Sequence, residues 1–514
     1  MPFGIRSICR RNEDIRGMKV DKSCDQYYNI TNGSHDWRLT QGTAGECEHR
    51  MPAAWAIRFC GTGLSIFAFR GIVMKKIKSM SESSFLKLFF VFVGVAFLAA
   101  AVCMPDRGTM LSGFWQILSQ PCKVTTNYFS VGGFAATFLN MGLVALVMAL
   151  LFHVTKTKVN NVSTLAFLLT LGFCSWGINL LNMWFTMLGV VVANLIKKEK
   201  FYANINAMLF TTGVAPVISD LLVRYPHAET IGFNVLGFAL AVAAGVIVGI
   251  IVSAGLPHSP NVHKGFNLYS AALPVGMAMF FINGMFYKVM GVELPGATGD
   301  MAVASASIVN IFCIVLFGLL VVIALAMGAG KDYWKLVINP NQVNNVSGTL
   351  GNGVFLMNAG IYGLFILAYY NVIGASFNGV TFGLIFCMLC TCNSGSRPTN
   401  VWPIMLGYVV ASFATGWLSS ALGANFTLAV NAQAIVIGLC YANGLSPICD
   451  KYGWVYAFVA AMIHYCLVTL VPGLHGGFCL YNGGFTAIFV CIILVPVLEK
   501  FCKTKTERLA AKAE

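Results

Sequence analysis

The run Gly177-Ile-Asn-Leu-Leu-Asn182-Met-Trp184-Phe-Thr-Met187-Leu-Gly189 is written a second time, 218 residues further on, as Gly395-Ser-Arg-Pro-Thr-Asn400-Val-Trp402-Pro-Ile-Met405-Leu-Gly407. Working outward, the same shift without a gap sets Asn127 on Asn345, Gly133 on Gly351, Asn140 on Asn358, Gly142 on Gly360 and Asn160 on Asn378. A second block recurs at slightly different offsets. His263-Lys-Gly-Phe-Asn-Leu-Tyr269 falls on His475-Gly-Gly-Phe-Cys-Leu-Tyr481, and Ala215-Pro-Val-Ile-Ser-Asp220 falls on Ser446-Pro-Ile-Cys-Asp450 once one residue is allowed to slip. Two copies of one unit, roughly 126–290 and 344–500, therefore account for most of the chain. Repeats of this length, rich in apolar spans, are the signature of transporter halves.

The composition fixes the class. Of 514 residues, 57% are apolar and 10% charged, whereas soluble domains carry about 25% charged residues; mean hydropathy is +0.75. Apolar runs near the ~20 residues that cross hydrocarbon recur, and lipid offers the backbone no partners, so the runs must be helical. The expected fold is all-α, a polytopic integral membrane protein. Fourteen apolar segments are expected, at 83–104, 130–153, 162–178, 181–196, 204–222, 230–256, 268–287, 304–328, 350–372, 380–396, 401–421, 429–443, 454–472 and 480–498. The pairs 162–178 with 181–196, and 380–396 with 401–421, read as broken or re-entrant hairpins.

Residues 1–73 read differently, with Cys9, Cys24, Cys47, Cys60, several Arg and no hydrophobic period. Arg58 and Arg70 interrupt Ala54 to Val73, so that stretch is neither a signal core nor a credible span. The region reads as a poorly structured extension or a mis-called start ahead of Met74. After it come a first transmembrane helix with its outer loop (74–125), repeat 1 (126–290), a linker helix (291–343), repeat 2 (344–500) and a basic tail (501–514).

Charge placement orients the spans. With the N-terminus cytoplasmic and every segment crossing, the inside tracts hold Lys75, Lys76, Lys78, Lys156, Lys158, Lys197, Lys198, Lys200, Lys264, Lys331, Lys335, Lys451, Lys500, Lys503, Lys505, Arg508 and Lys512, seventeen in all. The outside loops hold four: Arg107, Lys123, Arg224 and Lys288. This is the positive-inside pattern, and it explains the net charge of +14 without any nucleic-acid partner. Six segments of repeat 1 plus the linker helix make an odd number of crossings, so repeat 2 enters upside down. The expected location is the cytoplasmic membrane of a bacterium, multi-pass, with both termini cytoplasmic.

An inverted repeat brings its two hairpin breaks together near the bilayer midplane. Gly177 and Gly395 permit the breaks, and Pro398 disfavours helix before it. The following half-helices present free N–H groups to a polar or anionic solute. Asn182 with Asn400, and Asn140 with Asn358, are matched amides able to bind solute or, equally, to glue helices. Arg397, with neutral Asn179 as its counterpart, offers one cation at membrane depth. Asn206 with Asn431 is a further, less sharp pair. His464 is a candidate for proton coupling, against the commoner role of a neutral buried imidazole bonded to a carbonyl. Asp220 and Asp450 read as helix-end groups. No cofactor or metal set is implied: Cys387, Cys390 and Cys392 lack a completing pair or His, Gly348 to Gly353 lacks the Lys-Ser/Thr of a phosphate loop, and no motif marks an enzyme. The partners expected are the lipid bilayer and a small polar or anionic solute, with self-association into a homo-oligomer left open.

The duplicated Asn-x-x-x-x-x-Gly, Gly-x-x-x-x-Asn-x-Trp and His-x-Gly-Phe-x-Leu-Tyr segments resemble a bacterial membrane family labelled domain of unknown function 1576, found mainly in Firmicutes, over about residues 74–500. That resemblance implies a duplicated membrane region and supplies no activity. The end of each repeat is also faintly similar to urea-channel repeats, through a few Gly and Asn residues before an apolar run. The function expected is a secondary permease or facilitative channel, the competing class a non-transporting membrane scaffold or subunit.

Overall fold

The structure is a computed structural model describing residues 27–33, 36–42, 77, 79–226, 231–339, 342–424 and 428–513. The chain divides into two compact units, Met1–Val73 and Met74–Glu514. In the first, β1 (Tyr27–Gly33) pairs antiparallel with β2 (Asp36–Gly42). The readings of Ala54 to Val73 and of Met74 as a start lie outside the described residues.

The second unit is helical. Its first half runs α1 (Glu82–Cys103), α2 (Met110–Leu118), α3 (Gly133–Val154), α4 (Asn161–Phe173), α5 (Met183–Ile196), α6 (Ile205–Thr211), α7 (Ala215–Val223), α8 (Val235–Gly255) and α9 (Ala272–Asn283). Its second half repeats the series as α10 (Ala306–Ala326), α11 (Gly330–Val337), α12 (Asn352–Val372), α13 (Gly379–Leu389), α14 (Pro398–Leu422), α15 (Gln433–Ala442), α16 (Ser446–Tyr452), α17 (Trp454–Leu467) and α18 (Asn482–Phe501). Short 3-10 turns, Thr212–Val214 and Asn443–Leu445, join α6 to α7 and α15 to α16. Among the described residues, nine helices are long and apolar enough to cross a membrane.

The copies are larger than their matching sequence. α1 packs along α3 as α10 packs along α12, and α8 packs on α5 as α17 packs on α14. The first helix and the linker helix are thus the opening members of the two repeats rather than additions to them. The hairpin expectation also needs one change. α4 and α5, of 13 and 14 residues, are short, but α14 runs 25 residues and is long enough to cross. It gains length because Pro398 opens the helix at a position where no N–H is needed, and a left-handed Gly423 (φ +64°) closes it.

Equivalent helices run in opposite senses. Along the contact between α4 and α13, Asn393 Nδ2 donates to Thr164 Oγ1 (3.2 Å), Cys387 Sγ to the Leu169 carbonyl (3.7 Å) and Ser175 Oγ to the Gly379 carbonyl (2.7 Å). Residue numbers rise on one side as they fall on the other, so the pair is antiparallel. Small residues allow the approach. A Cβ on Gly172 would run into the Gly383 carbonyl and the Cys387 sulfur, and one on Gly383 into the Gly172 carbonyl.

The connecting loops fall in two layers. One layer joins Val159 to Ser83 (2.9 Å), Asn161 to the Asn344 carbonyl (2.7 Å) and Asn352 to the Met80 carbonyl (3.0 Å), and carries the Lys156 and Lys158 loop. The other joins Asn127 to the Asp300 carbonyl (2.9 Å), Val124 to the Gly477 carbonyl (2.8 Å) and Asn378 to the Met301 carbonyl (3.2 Å). The matched loops around Asn160 and Asn378 therefore lie in opposite layers.

The repeats also exchange their ends. Leu268 N–H donates to the Gly444 carbonyl (3.0 Å), and its counterpart Leu480 N–H donates to the Gly213 carbonyl (2.8 Å). Each His-x-Gly-Phe-x-Leu-Tyr loop thus satisfies the helix break of the other copy.

Replacing Gly172 by Leu should lower stability by ~1–3 kcal/mol or more through overpacking at the crossing. The same change at Gly318, where a Cβ meets nothing within 4 Å, should be near neutral; thermal unfolding of the two purified variants checks this, and equal loss in both would contradict it.

Candidate functional site

Both hairpin turns are built on the same asparagine bonds. In the first, Asn140 Nδ2 donates to the Cys174 and Ile178 carbonyls (2.7 and 2.9 Å), Asn182 Nδ2 donates to the Gly177 carbonyl (2.9 Å), and Asn182 Oδ1 accepts from the Asn179 N–H (2.9 Å). In the second, Asn358 Nδ2 donates to the Cys392 and Ser396 carbonyls (both 2.9 Å), Asn400 Nδ2 to the Gly395 carbonyl (3.1 Å), and Asn400 Oδ1 accepts from the Arg397 N–H (2.9 Å). A turn inside a membrane protein leaves carbonyls and N–H groups without helical partners, and side-chain amides are the means of satisfying them. The glycines differ in duty. Gly395 is left-handed (φ +97°), whereas at Gly177 the requirement is space, since a Cβ there would meet Leu480 and Pro216.

The two turns diverge where charge enters. Asn182 Nδ2 also donates to Ser219 Oγ (2.9 Å), and Asn400 Nδ2 to Asp450 Oδ2 (3.0 Å). The ungapped 3-10 turns pair Pro216 with Pro447, hence Ser219 with Asp450, so the slip that matched Asp220 to Asp450 is corrected. Arg397 is buried and its guanidinium clamps Asp450 at 3.0 and 3.3 Å, with further bonds to the Gly395 and Asn339 carbonyls (3.0 and 3.1 Å). Its counterpart Asn179 donates to the Ile117 carbonyl (3.1 Å) in α2 and caps Leu181 and Asn182 (3.0 and 2.9 Å). A proline makes the second difference. Leu180 N–H donates to Asn140 Oδ1 (3.3 Å), but the matching residue is Pro398, which has no N–H, and Asn358 Oδ1 is left buried without a partner.

The remaining sequence candidates fall elsewhere. Asn206 lies in α6, half-buried, with Oδ1 unpartnered. Asn431 is exposed ahead of α15 and reaches the Gly374 carbonyl (3.3 Å). Aligned on their 3-10 turns, Asn206 matches Ile437, so Asn206 and Asn431 are not an equivalent pair. His464 is fully buried, with Nε2 2.8 Å from the Gly483 carbonyl and Nδ1 2.5 Å from the Tyr408 hydroxyl. A carbonyl only accepts, so Nε2 carries the proton and Tyr408 donates to Nδ1; a neutral imidazole satisfies every contact.

Sequence reasoning missed a polar knot at the crossing. Tyr269 Oη donates its one proton to Asn443 Oδ1 (2.7 Å), with the Cys387 carbonyl also close at 2.9 Å, while Asn443 Nδ2 reaches Tyr362 Oη (2.7 Å) and Thr391 Oγ1 (3.1 Å). The equivalent positions in the other copy are Tyr481, Thr212, Val144 and Phe173, and there Tyr481 Oη has no partner. Trp176 Nε1, in the adjoining hairpin turn, is also unpartnered. The Phe173 ring sits edge-on to both, with centroids 5.3 Å from Tyr481 and 5.7 Å from Trp176. A second buried ion pair joins Asp220 to Arg224 (2.5 and 2.7 Å), with Tyr287 Oη donating to Asp220 (2.6 Å). The repeated Tyr of the His-x-Gly-Phe-x-Leu-Tyr motif was the available signal for the knot.

Paired apolar bundles of opposite sense, knotted by buried amides at two helix breaks, define an all-α polytopic membrane protein built from two inverted repeats. The family model described as a protein of unknown function (DUF1576) matches residues 107–288 and 325–500, and the chain belongs to that family. The two matched stretches begin 218 residues apart, the offset of the internal repeat. Comparison with curated proteins and with solved structures returns no match.

Asp450→Ser alone leaves Arg397 buried and uncompensated and should cost ~3–5 kcal/mol. Adding Arg397→Asn recreates the Asn179 and Ser219 arrangement and should recover most of that loss in thermal unfolding; a double variant no more stable than the single would contradict the pairing.

Proposed function

We propose that this protein is a secondary permease or facilitative channel for a small polar solute, in the cytoplasmic membrane of a bacterium with both termini cytoplasmic. The observation that carries the reading is the pair of buried, unpartnered donors, Trp176 Nε1 and Tyr481 Oη, at the crossing of the two repeats. Each such group costs ~1–3 kcal/mol when left unmade in a dry interior, and a solute offering acceptor oxygens would remove that cost on binding. Inverted repeats with broken helices place their solute sites at such a crossing. The Asp450 carboxylate compensates Arg397, which favours a neutral polar solute over an anionic one. The buried pairs Asp220–Arg224 and Arg397–Asp450 lie beyond the crossing towards opposite loop layers and would close its two ends. The lysine-rich layer supports the orientation by the positive-inside rule.

The scaffold reading has one observation in its favour. Asn140, Asn182 and Asn400 place their amides on protein carbonyls, as helix glue would.

Tyr481→Phe deletes an unpaired hydroxyl and keeps the ring, whereas Trp176→Phe deletes the unpaired N–H together with part of the buried indole. Reconstituted in liposomes and screened against neutral polar metabolites, both variants should lose solute uptake and solute-dependent thermal stabilisation, and the solute-free Tyr481→Phe protein should melt at the same or a higher temperature. Unimpaired uptake by the variants would contradict the site, and no uptake of any solute by the parent protein would favour the scaffold.

A further inference from the structure

Two apolar grooves open on the lipid-facing side of α3, and they share the same two residues, Leu150 and Lys156. The first, about 890 Å³, lies against α5, α6 and α8 and is lined by residues such as Val154, Trp184, Leu188 and Phe238. The second, about 840 Å³, lies between α1 and α3, with Leu88, Val91 and Leu146 on its walls. Both have the volume of ligand sites, and both run from the lysine-rich loop layer down into the apolar belt.

The mouths of the grooves are cationic. Lys87 and His153 line the second beside Lys156, and Lys200 stands over the ring of Tyr202, a lining residue of the first, at 5.7 Å. Lys158, Lys197 and Lys198 follow in the adjoining loops. The buried arginines and the exposed Lys264 and Lys335 all have carboxylate partners, whereas Lys87 and Lys156 have none among the described residues. Lys87 is the more telling, because it sits in the second turn of a membrane-spanning helix, half-buried. A cation there is costly unless it snorkels or finds an anion.

We infer that the end of α3 is a binding site for one anionic diacyl phospholipid, its phosphate held between Lys87 and Lys156 and one acyl chain lying in each groove astride Leu150. The shared residues explain why the occupant has two chains: the grooves diverge from a single cationic mouth. The site is in the leaflet that meets the lysine-rich layer and is separate from the crossing of the repeats, so it stands whatever solute the protein carries.

The test is direct binding to the full-length purified protein in mild detergent, with radiolabelled phosphatidylglycerol and phosphatidylcholine as separate probes and inorganic phosphate as competitor. Phosphatidylglycerol should bind saturably and in preference to phosphatidylcholine. At about 1 kcal/mol per lysine, Lys87→Gln with Lys156→Gln should weaken phosphatidylglycerol binding roughly 30-fold and phosphatidylcholine, whose choline cation offsets its phosphate, much less, while Lys87→Arg with Lys156→Arg should restore it. Leu150→Trp, at an exposed position that both grooves share, should weaken both lipids. Equal binding of the two lipids by the parent protein, no effect of the double Gln variant, no effect of Leu150→Trp, or displacement by inorganic phosphate alone would each overturn the assignment.

Discussion

Two helix backbones touch where α4 crosses α13 at Gly172 and Gly383, and the sense of that crossing constrains the rest of the unit. In lipid the hydrophobic effect gives no driving force between helices, so association depends on close packing and on polar bonds. The crossing supplies both, in the glycine contact and in the flanking bonds from Ser175, Cys387 and Asn393. Because equivalent helices meet antiparallel, every other equivalent feature must appear at opposite ends. The exchange of the Leu268 and Leu480 N–H groups onto the opposite copy's helix breaks follows from the same relation.

Within that frame the copies have diverged in polarity. The first turn is neutral, held by Asn179, Asn182 and Ser219; the second holds a buried ion pair and an asparagine deprived of a donor by Pro398. At the crossing the order reverses: the Tyr269 and Asn443 side is fully bonded, and the Tyr481 and Trp176 side carries unpaired donors. A symmetric scaffold would need neither difference. We read this asymmetry of buried polar groups as favouring a binding face over a purely structural one.

The fourteen segments, their order and their inversion were legible because lipid forces helix placement into run length and loop charge. The expected segments match helices or broken helices to within a few residues, except that 429–443 ends at α15 and leaves out α16 (Ser446–Tyr452), the second half of that broken helix. The polar contacts were less legible. Arg397 was found as a buried charge, but its partner was hidden because a residue slip that matched Asp to Asp looked better than the ungapped match of Ser219 to Asp450. The Tyr269 motif was visible while Asn443, which it meets, is 174 positions away. Asn206 and Asn431 were matched by residue type at the start of an apolar run, and geometry separates them. The membership of α1 and α10 in the repeats was invisible because lipid-facing helices keep hydropathy without keeping sequence.

The inversion is tested most directly at Lys158 and Ser376, exposed residues 218 positions apart in equivalent loops. Each is replaced by Cys, one at a time, in a background lacking Cys103, Cys466 and the four cysteines of residues 1–73, and a membrane-impermeant maleimide is added to intact cells and to opened membranes. Ser376→Cys should react in intact cells and Lys158→Cys only after opening. Labelling of both from the same side would contradict the opposed arrangement of the repeats.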